Sequence, residues 1–117
     1  MYQINNKDYI LLIRYKEFIT YLDKVLENVP RKDMFYKDKI RKESIEVLEL
    51  IIKIGFDEEK NTNDKIIVRS KLGVVDFLLD RLFNLKYISE KQIYKLGLYL
   101  SEIIKMINGI YKNGSKI

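Results

Sequence analysis

Apolar residues return at steps of three and four along most of the chain, which is the spacing of one face of an α-helix. The first run predicts a helix over residues 7–28, and its apolar stripe is Leu11, Tyr15, Phe18, Leu22 and Val25. Pro30 ends this helix, because proline lacks an amide hydrogen and crowds the turn before it. The second run predicts a helix over residues 33–54, with Asp33 as its N-cap and Gly55 as a left-handed C-terminal cap.

Two more helices follow a polar, turn-prone loop at residues 57–64. The third is predicted over residues 63–86, and its apolar positions cover an unusually wide arc: Val68, Leu72, Val74, Val75, Leu78, Leu79, Leu82 and Leu85. The fourth is predicted over residues 89–112, where Ser89 and Gln92 have the spacing of a capping box. Four amphipathic helices with short connections in 117 residues predict one all-α domain, an antiparallel up-down four-helix bundle.

The third and fourth helices carry more apolar side chains than one bundle core usually hides. The surplus positions include Phe77, Phe83, Leu98, Tyr99 and Tyr111. One interpretation is that they form a self-associating surface, and the other is that they thicken the core or lie singly exposed. We expect the first, and therefore a homo-oligomer.

The residue types exclude several kinds of chemistry. The chain has no cysteine and no histidine, so disulfides, thiol nucleophiles, imidazole catalysis and zinc sites of the usual ligand set are ruled out. Oxygen ligands for magnesium would have to come from Glu46, Glu49 and Asp76, which are more simply interpreted as solvated helix charges. The apolar run at residues 9–13 is too short for a signal peptide or a membrane span. We expect a cytoplasmic, non-enzymatic protein without metal or cofactor.

Positive charge is concentrated in one segment of the chain. The net charge is +5, yet residues 31–42 hold six basic and two acidic side chains, whereas residues 43–60 hold two basic and six acidic ones. Such a segment can attract the phosphates of a nucleic acid. It can equally be a solvated helix face, because two acid-before-base pairs have the spacing of intrahelical ion pairs: Asp33 with Lys37, and Asp38 with Lys42. From the residues alone, the two interpretations stay equally open.

The basic side chains of this segment are the first candidates for phosphate contacts. They are Arg31, Lys32, Lys37, Lys39, Arg41 and Lys42. Phe35 and Tyr36 lie among them and could stack on unpaired bases. For Phe35 and Tyr15 we instead expect a role as core anchors, since a bundle must fill its ends.

Three stretches of the chain resemble a known family. They are RYKEFITYLDKVLENVPRKDMF (14–35), ESIEVLELIIKIGF (43–56) and ISEKQIYKLGLYLSEIIKMINGIYK (88–112). Together they resemble the Avd family, the accessory variability determinants of diversity-generating retroelements. They are also similar to the related four-helix-bundle proteins encoded in ribosomal RNA intervening sequences.

The resemblance implies a homopentameric, positively charged barrel of four-helix bundles without enzymatic activity. Such a protein binds a reverse transcriptase together with RNA, and possibly DNA, and supports mutagenic copying of a template RNA into complementary DNA. By the same resemblance, Arg31 and Lys32 fall on the family's basic pair after the proline, and Lys105 falls on an arginine of the last helix. The alternative is a self-assembling scaffold that binds a protein partner and no nucleic acid.

One pair of residues departs from the family's pattern. Family members often carry arginines four apart on the third helix, and the matching positions here are Asp76 and Asp80. Two cations are thereby replaced by two anions. The protein would then use the face of the second helix together with Lys65, Arg69 and Lys71, or belong to a branch that holds nucleic acid differently.

Overall fold

The computed structural model describes residues 6–114, and all regular structure in that range is helical. The helices are α1 (Asn6–Leu26), α2 (Met34–Phe56), α3 (Thr62–Asn84) and α4 (Glu90–Gly114), with a 3₁₀ turn, Arg31–Asp33, before α2. Each helix begins and ends within two residues of its predicted bounds. Since residues 6–114 contain no strand, the predicted all-α, four-helix architecture is confirmed.

The four helices enclose one core. α1 packs against α2 and α4, and α3 packs against the same two helices, so the diagonal pairs are separated by the core. The apolar stripe predicted for α1 is buried along its whole length, and the core that it joins includes Ile40, Val47, Leu72, Leu79, Leu96 and Ile103. Among the described residues, no helix is both long and apolar enough to cross a lipid bilayer.

Tyr15 is a core anchor, as predicted, and it joins α1 to α2. Its hydroxyl donates a hydrogen bond of 2.6 Å to the backbone carbonyl of Ser44. Burial raises the pKa of the Tyr15 hydroxyl well above its usual value. The prediction for Phe35 is wrong, because this side chain is 72% exposed. Phe35 precedes the buried Ile40 by five residues, which places it about 140° away around the helix.

The surplus apolar residues divide between the core and the surface. Tyr111 is buried, and Phe83 and Tyr99 pack partly buried against the core. Phe77 and Leu98 are 70% and 53% exposed. The core therefore accounts for some of the surplus, and self-association of the rest stays a prediction.

Asp33 occupies the predicted N-cap position of α2, but its side chain does not cap the helix. Its carboxylate caps no amide of α2 and instead accepts a hydrogen bond from the hydroxyl of Tyr87, on the connection between α3 and α4. The predicted capping box of α4 is confirmed. The amide of Gln92 donates to Ser89 Oγ at 3.1 Å, and the amide of Ser89 donates to Gln92 Oε1 at 3.0 Å.

Lys60 caps the end of α2, where a left-handed Gly55 was predicted. Among the described residues no glycine has a positive φ, and α2 continues through Gly55. The ammonium of Lys60 donates to the carbonyls of Ile54 and Asp57 and pairs with Asp8 of α1 at 3.0 Å. Because a cation satisfies carbonyl groups at the end of α2, the helix has no need of a glycine cap there.

α3 ends in a Schellman motif built on a lysine. The amide of Tyr87 donates to the carbonyl of Leu82 at 3.0 Å, and the amide of Lys86 donates to that of Phe83 at 2.9 Å. Lys86 has a φ of 70°, and no other non-glycine residue in the described part of the chain has a positive φ. A side chain in this conformation costs stability, because its Cβ crowds the backbone.

We predict that Lys86→Gly stabilises the protein by about 0.5–1 kcal/mol, because glycine adopts the left-handed conformation without crowding. Chemical denaturation measures the free energy of unfolding. Lys86→Ala is the matched control, since it keeps the Cβ and should give no such gain. Equal stability of the two variants would contradict the prediction.

Candidate nucleic-acid interface

Arg31 and Lys32 lie in the turn between α1 and α2. Pro30 has an extended backbone before this turn, and its carbonyl accepts a hydrogen bond of 3.0 Å from the amide of Asp33. The bond from Tyr87 to Asp33 ties the turn to the connection between α3 and α4. Arg31 and Lys32 are both exposed, and neither has an ion-pair partner among the described residues. The turn therefore holds two unneutralised cations at one end of the bundle.

Four more candidates lie on the first turns of α2, and two of them are neutralised. Lys39 pairs with Glu43 at 2.9 Å, and Arg41 lies 3.6 Å from Asp23 of α1. Lys37 and Lys42 have no ion-pair partner in the described range, so these two remain available for phosphates.

The intrahelical pairs predicted for α2 do not form. Asp33 is not paired with Lys37 because its carboxylate binds the hydroxyl of Tyr87. The structure shows no ion pair between Asp38 and Lys42 either, and both side chains are exposed. Most ion pairs of α2 are formed with residues of other helices. Within α2, the described ion pair is Lys39 with Glu43.

Glu43 is the centre of a charge cluster between α2 and α3. Its side chain is 9% exposed and contacts Lys39 at 2.9 Å and Lys71 at 3.1 Å. Lys71 also contacts Glu46 at 2.7 Å. Hydrogen bonds from Lys39 and then Lys71 lower the pKa of Glu43, and hydrogen bonds to Glu46 and then Glu43 raise the pKa of Lys71. Lys71 is thus committed to holding α3 against α2, and it does not contribute to a phosphate site.

The remaining candidates lie elsewhere on the bundle. The ammonium of Lys65 is 5.8 Å from the ring centroid of Tyr111, whose hydroxyl donates to the carbonyl of Asn61 at 2.9 Å. Arg69 is exposed one turn further along α3, and Lys105 is exposed on α4. Lys65 therefore lies by the connection between α2 and α3, whereas Arg31 and Lys32 lie by the connection between α3 and α4. The nine predicted residues do not form a single surface.

Lys86 is a cation that the sequence analysis missed. It is exposed and directly precedes Tyr87, which binds Asp33. A surface cavity of about 640 Å³ lies beside it, lined by Asn28 at the end of α1 and by Ser89 at the start of α4, among others. We call Arg31, Lys32 and Lys86 the end cluster. No local sequence signal could have found it, because Asp33 and Tyr87 are 54 residues apart in the chain.

Arg81 extends positive charge from the end cluster along α3. Its guanidinium hydrogen-bonds Tyr36 of α2, and this contact raises the pKa of Arg81. By contrast, Asp76 and Asp80 form an exposed acidic pair on α3, and neither has an ion-pair partner in the described part of the chain. Partial burial, and then the charge of Asp80, raises the pKa of Asp76. The surface around this acidic pair repels phosphates.

The described residues contain no candidate metal-binding site. No three acidic, histidine or cysteine side chains are grouped closely enough to hold a metal ion within residues 6–114. Glu46, which was considered for magnesium, is bound to Lys71.

The sequence has no match among family models or curated proteins. Its resemblance to the Avd family therefore stays a prediction. The independent basis for a function is the distribution of charge: an end cluster of cations, a neutralised zone around Glu43 and an acidic pair on α3.

We predict that Glu43→Gln lowers the free energy of unfolding at pH 7 by about 0.5–1 kcal/mol, since it weakens hydrogen bonds to two ammonium groups. The pKa of Glu43 is below its usual 4.5 in the folded state, so its contribution is complete above that pH and disappears as the pH falls through the folded pKa. Denaturation at a series of pH values measures this difference.

Glu49→Gln is the matched control, because Glu49 is exposed on the same helix and has no ion pair in the described range. It should change stability little at any pH. The prediction fails if the two variants have the same pH dependence.

Proposed function

We propose that the protein is a non-enzymatic, oligomeric nucleic-acid-binding subunit that associates with a retroelement reverse transcriptase and its template RNA. In this role it supports mutagenic synthesis of complementary DNA. The nucleic-acid-binding part rests on one observation: three exposed cations, none with an ion-pair partner within residues 6–114, share one end of the bundle. The association with a reverse transcriptase rests on the resemblance to the Avd family.

The placement of the end cluster supports a ligand because folding stability does not explain it. Arg31 and Lys32 lie just before α2, where the positive end of the helix dipole disfavours cations. Lys86 holds a conformation in which glycine would be more stable. Three cations in unfavourable positions are explained by an anionic partner, since phosphate contacts release counterions and gain free energy.

The direction of the helices brings the cluster together. We infer that neighbouring helices run antiparallel, as in an up-down bundle. Lys71 of α3 contacts Glu43 in the middle of α2, whereas Asp64 at the start of α3 pairs with Lys53 near the end of α2, at 3.1 Å. This order of contacts supports opposite directions. It also supports a common end for the connections that carry Arg31 and Lys86.

Self-association would strengthen binding, since each copy adds an end cluster to a common surface. Exposed apolar side chains support self-association, and the three most exposed large ones are Phe35, Phe77 and Tyr94. The resemblance favours five copies. We place the assembly in the cytoplasm, where its reverse transcriptase would act.

A scaffold that binds only a protein partner is the second candidate function. It is favoured by the same exposed apolar residues, because they can bind a protein partner without nucleic acid. Co-purification with a reverse transcriptase encoded beside this protein's gene would support the accessory role. Assembly without any affinity for RNA at low salt would support the scaffold.

We predict that replacing Arg31, Lys32 and Lys86 with glutamine weakens binding to a structured RNA. Three lost phosphate contacts should reduce the slope of log K against log salt concentration by about 2 to 3. A fluorescence-anisotropy titration at several salt concentrations measures this slope.

The comparison variant replaces Lys65, Arg69 and Lys105 with glutamine, because these predicted candidates carry the same total charge on other parts of the bundle. If the end cluster is the binding site, this variant should leave the slope nearly unchanged. Equal losses in both variants would show that binding is not specific to the end cluster. Absence of binding by the wild-type protein would overturn the proposed function.

A further inference from the structure

The outer face of α3 carries an exposed aromatic ring beside two acidic side chains. Phe77 is 70% exposed, and Val74 and Ile66 on the same face are 40% and 56% exposed. Asp76 and Asp80 lie together to one side of Phe77 on the helix surface and have no ion-pair partner among the described residues. We call Phe77, Asp76, Asp80 and Val74 the α3 patch. It combines an apolar anchor with two uncompensated negative charges.

Gly73 leaves space beside the ring for a close approach. It lies one turn before Phe77, in the interior of α3, where glycine costs about 0.5–1 kcal/mol relative to alanine. A Cβ added to Gly73 would meet nothing within 4 Å. Packing within the subunit therefore does not require a glycine here. Contact with something outside the subunit would explain it.

A groove between α1 and α4 has the opposite character. It encloses about 490 Å³, and its apolar floor is formed by Ile13, Tyr21 and Tyr99. Lys16 and Lys24 line it, and neither has an ion-pair partner in the described range. The full lining is Ile13, Lys16, Glu17, Thr20, Tyr21, Lys24 and Tyr99, and we call it the α1–α4 groove.

The positive charge of the groove is not cancelled by its neighbours. Glu17, its one acidic lining residue, pairs with Arg14 at 3.3 Å, and Arg14 also binds Glu102 of α4 at 3.0 Å. Lys95 adds another cation, since its ammonium lies 4.4 Å from the ring centroid of Tyr21. An apolar floor below lysines fits an apolar side chain that lies beside carboxylates.

We propose that the α3 patch of one copy docks into the α1–α4 groove of a second copy. Phe77 enters the apolar floor, and Asp76 and Asp80 pair with the lysines along the groove. The inference rests on the self-association in the proposed function and names the two surfaces that make it. A second copy is the occupant that the charges favour, because both complementary surfaces occur on the same chain and an acidic patch excludes nucleic acid.

The two surfaces lie on different faces, so the contact is head-to-tail. α3 contacts α2 and α4, whereas the groove lies between α1 and α4. In a pair formed this way, one copy still has a free α1–α4 groove and the other still has a free α3 patch. Further copies then add until a ring closes, or a filament grows if the rotation does not close.

Charge reversal tests the pairing. Asp76→Lys with Asp80→Lys, or Lys16→Glu with Lys24→Glu, should weaken assembly at least tenfold, because like charges then face each other. The four substitutions combined should restore it. Glu58→Lys with Glu59→Lys is the control for the α3 reversal, since it makes the same charge change at exposed positions of a connecting loop. Sedimentation velocity at low salt measures assembly for each variant.

Gly73→Ala provides a second measurement that separates folding from docking. Alanine should raise the stability of the subunit and weaken assembly, because its methyl group occupies the space that a partner would use. A wild-type protein that stays monomeric, reversals that behave like the loop control, or a combined variant that remains dissociated would each overturn the inference.

The outcomes distinguish this inference from RNA binding. A wild-type monomer that binds RNA through the end cluster would overturn the docking proposal alone. A protein that assembles through these surfaces but has no affinity for RNA would overturn the nucleic-acid function alone.

Discussion

The structure depends on the burial of one apolar stripe from each of the four helices in a single shared core. Non-directional burial of this kind fixes which face of each helix points inward, and so decides which side chains remain outside. Once Tyr15 and Ile40 are in the core, Phe35 must face solvent and Lys42 is left exposed beside it. The surface chemistry of the protein is therefore a consequence of its core.

Helix bounds and the buried stripes could be predicted because they depend on residues a few positions apart. The contacts that join connections and helices at each end of the bundle could not be predicted. Asp33 meets Tyr87, and Asp8 meets Lys60, only after the helices have packed. Tyr87 binds the carboxylate that the local pattern had assigned to capping α2, and Lys60 caps the end of α2 in place of Gly55. The error over Phe35 is different, because its angle from the stripe was available from periodicity alone.

The candidate site was predicted only in part for the same reason. A run of six cations was compatible with a phosphate-binding surface, but Lys39 and Arg41 are balanced by Glu43 and Asp23. Such pairs contribute little stability where they are exposed, yet they reduce the charge offered to a ligand. The predicted cations without an ion pair in this segment are Arg31, Lys32, Lys37 and Lys42, and the fold adds Lys86 beside the first two. Linear charge density therefore overstated the free positive charge on α2 and missed Lys86 after α3.

The separation of acidic and basic surfaces gives the proposed assembly a physical basis. One end cluster would make too few phosphate contacts for tight binding at physiological salt, because each contact contributes only a modest counterion-release term. Head-to-tail docking around an axis parallel to the helices would place every end cluster on the same rim. Binding at one copy would then raise the effective concentration of RNA at the next. Asp76 and Asp80, which cannot hold phosphate, would serve RNA binding indirectly by joining the copies that do.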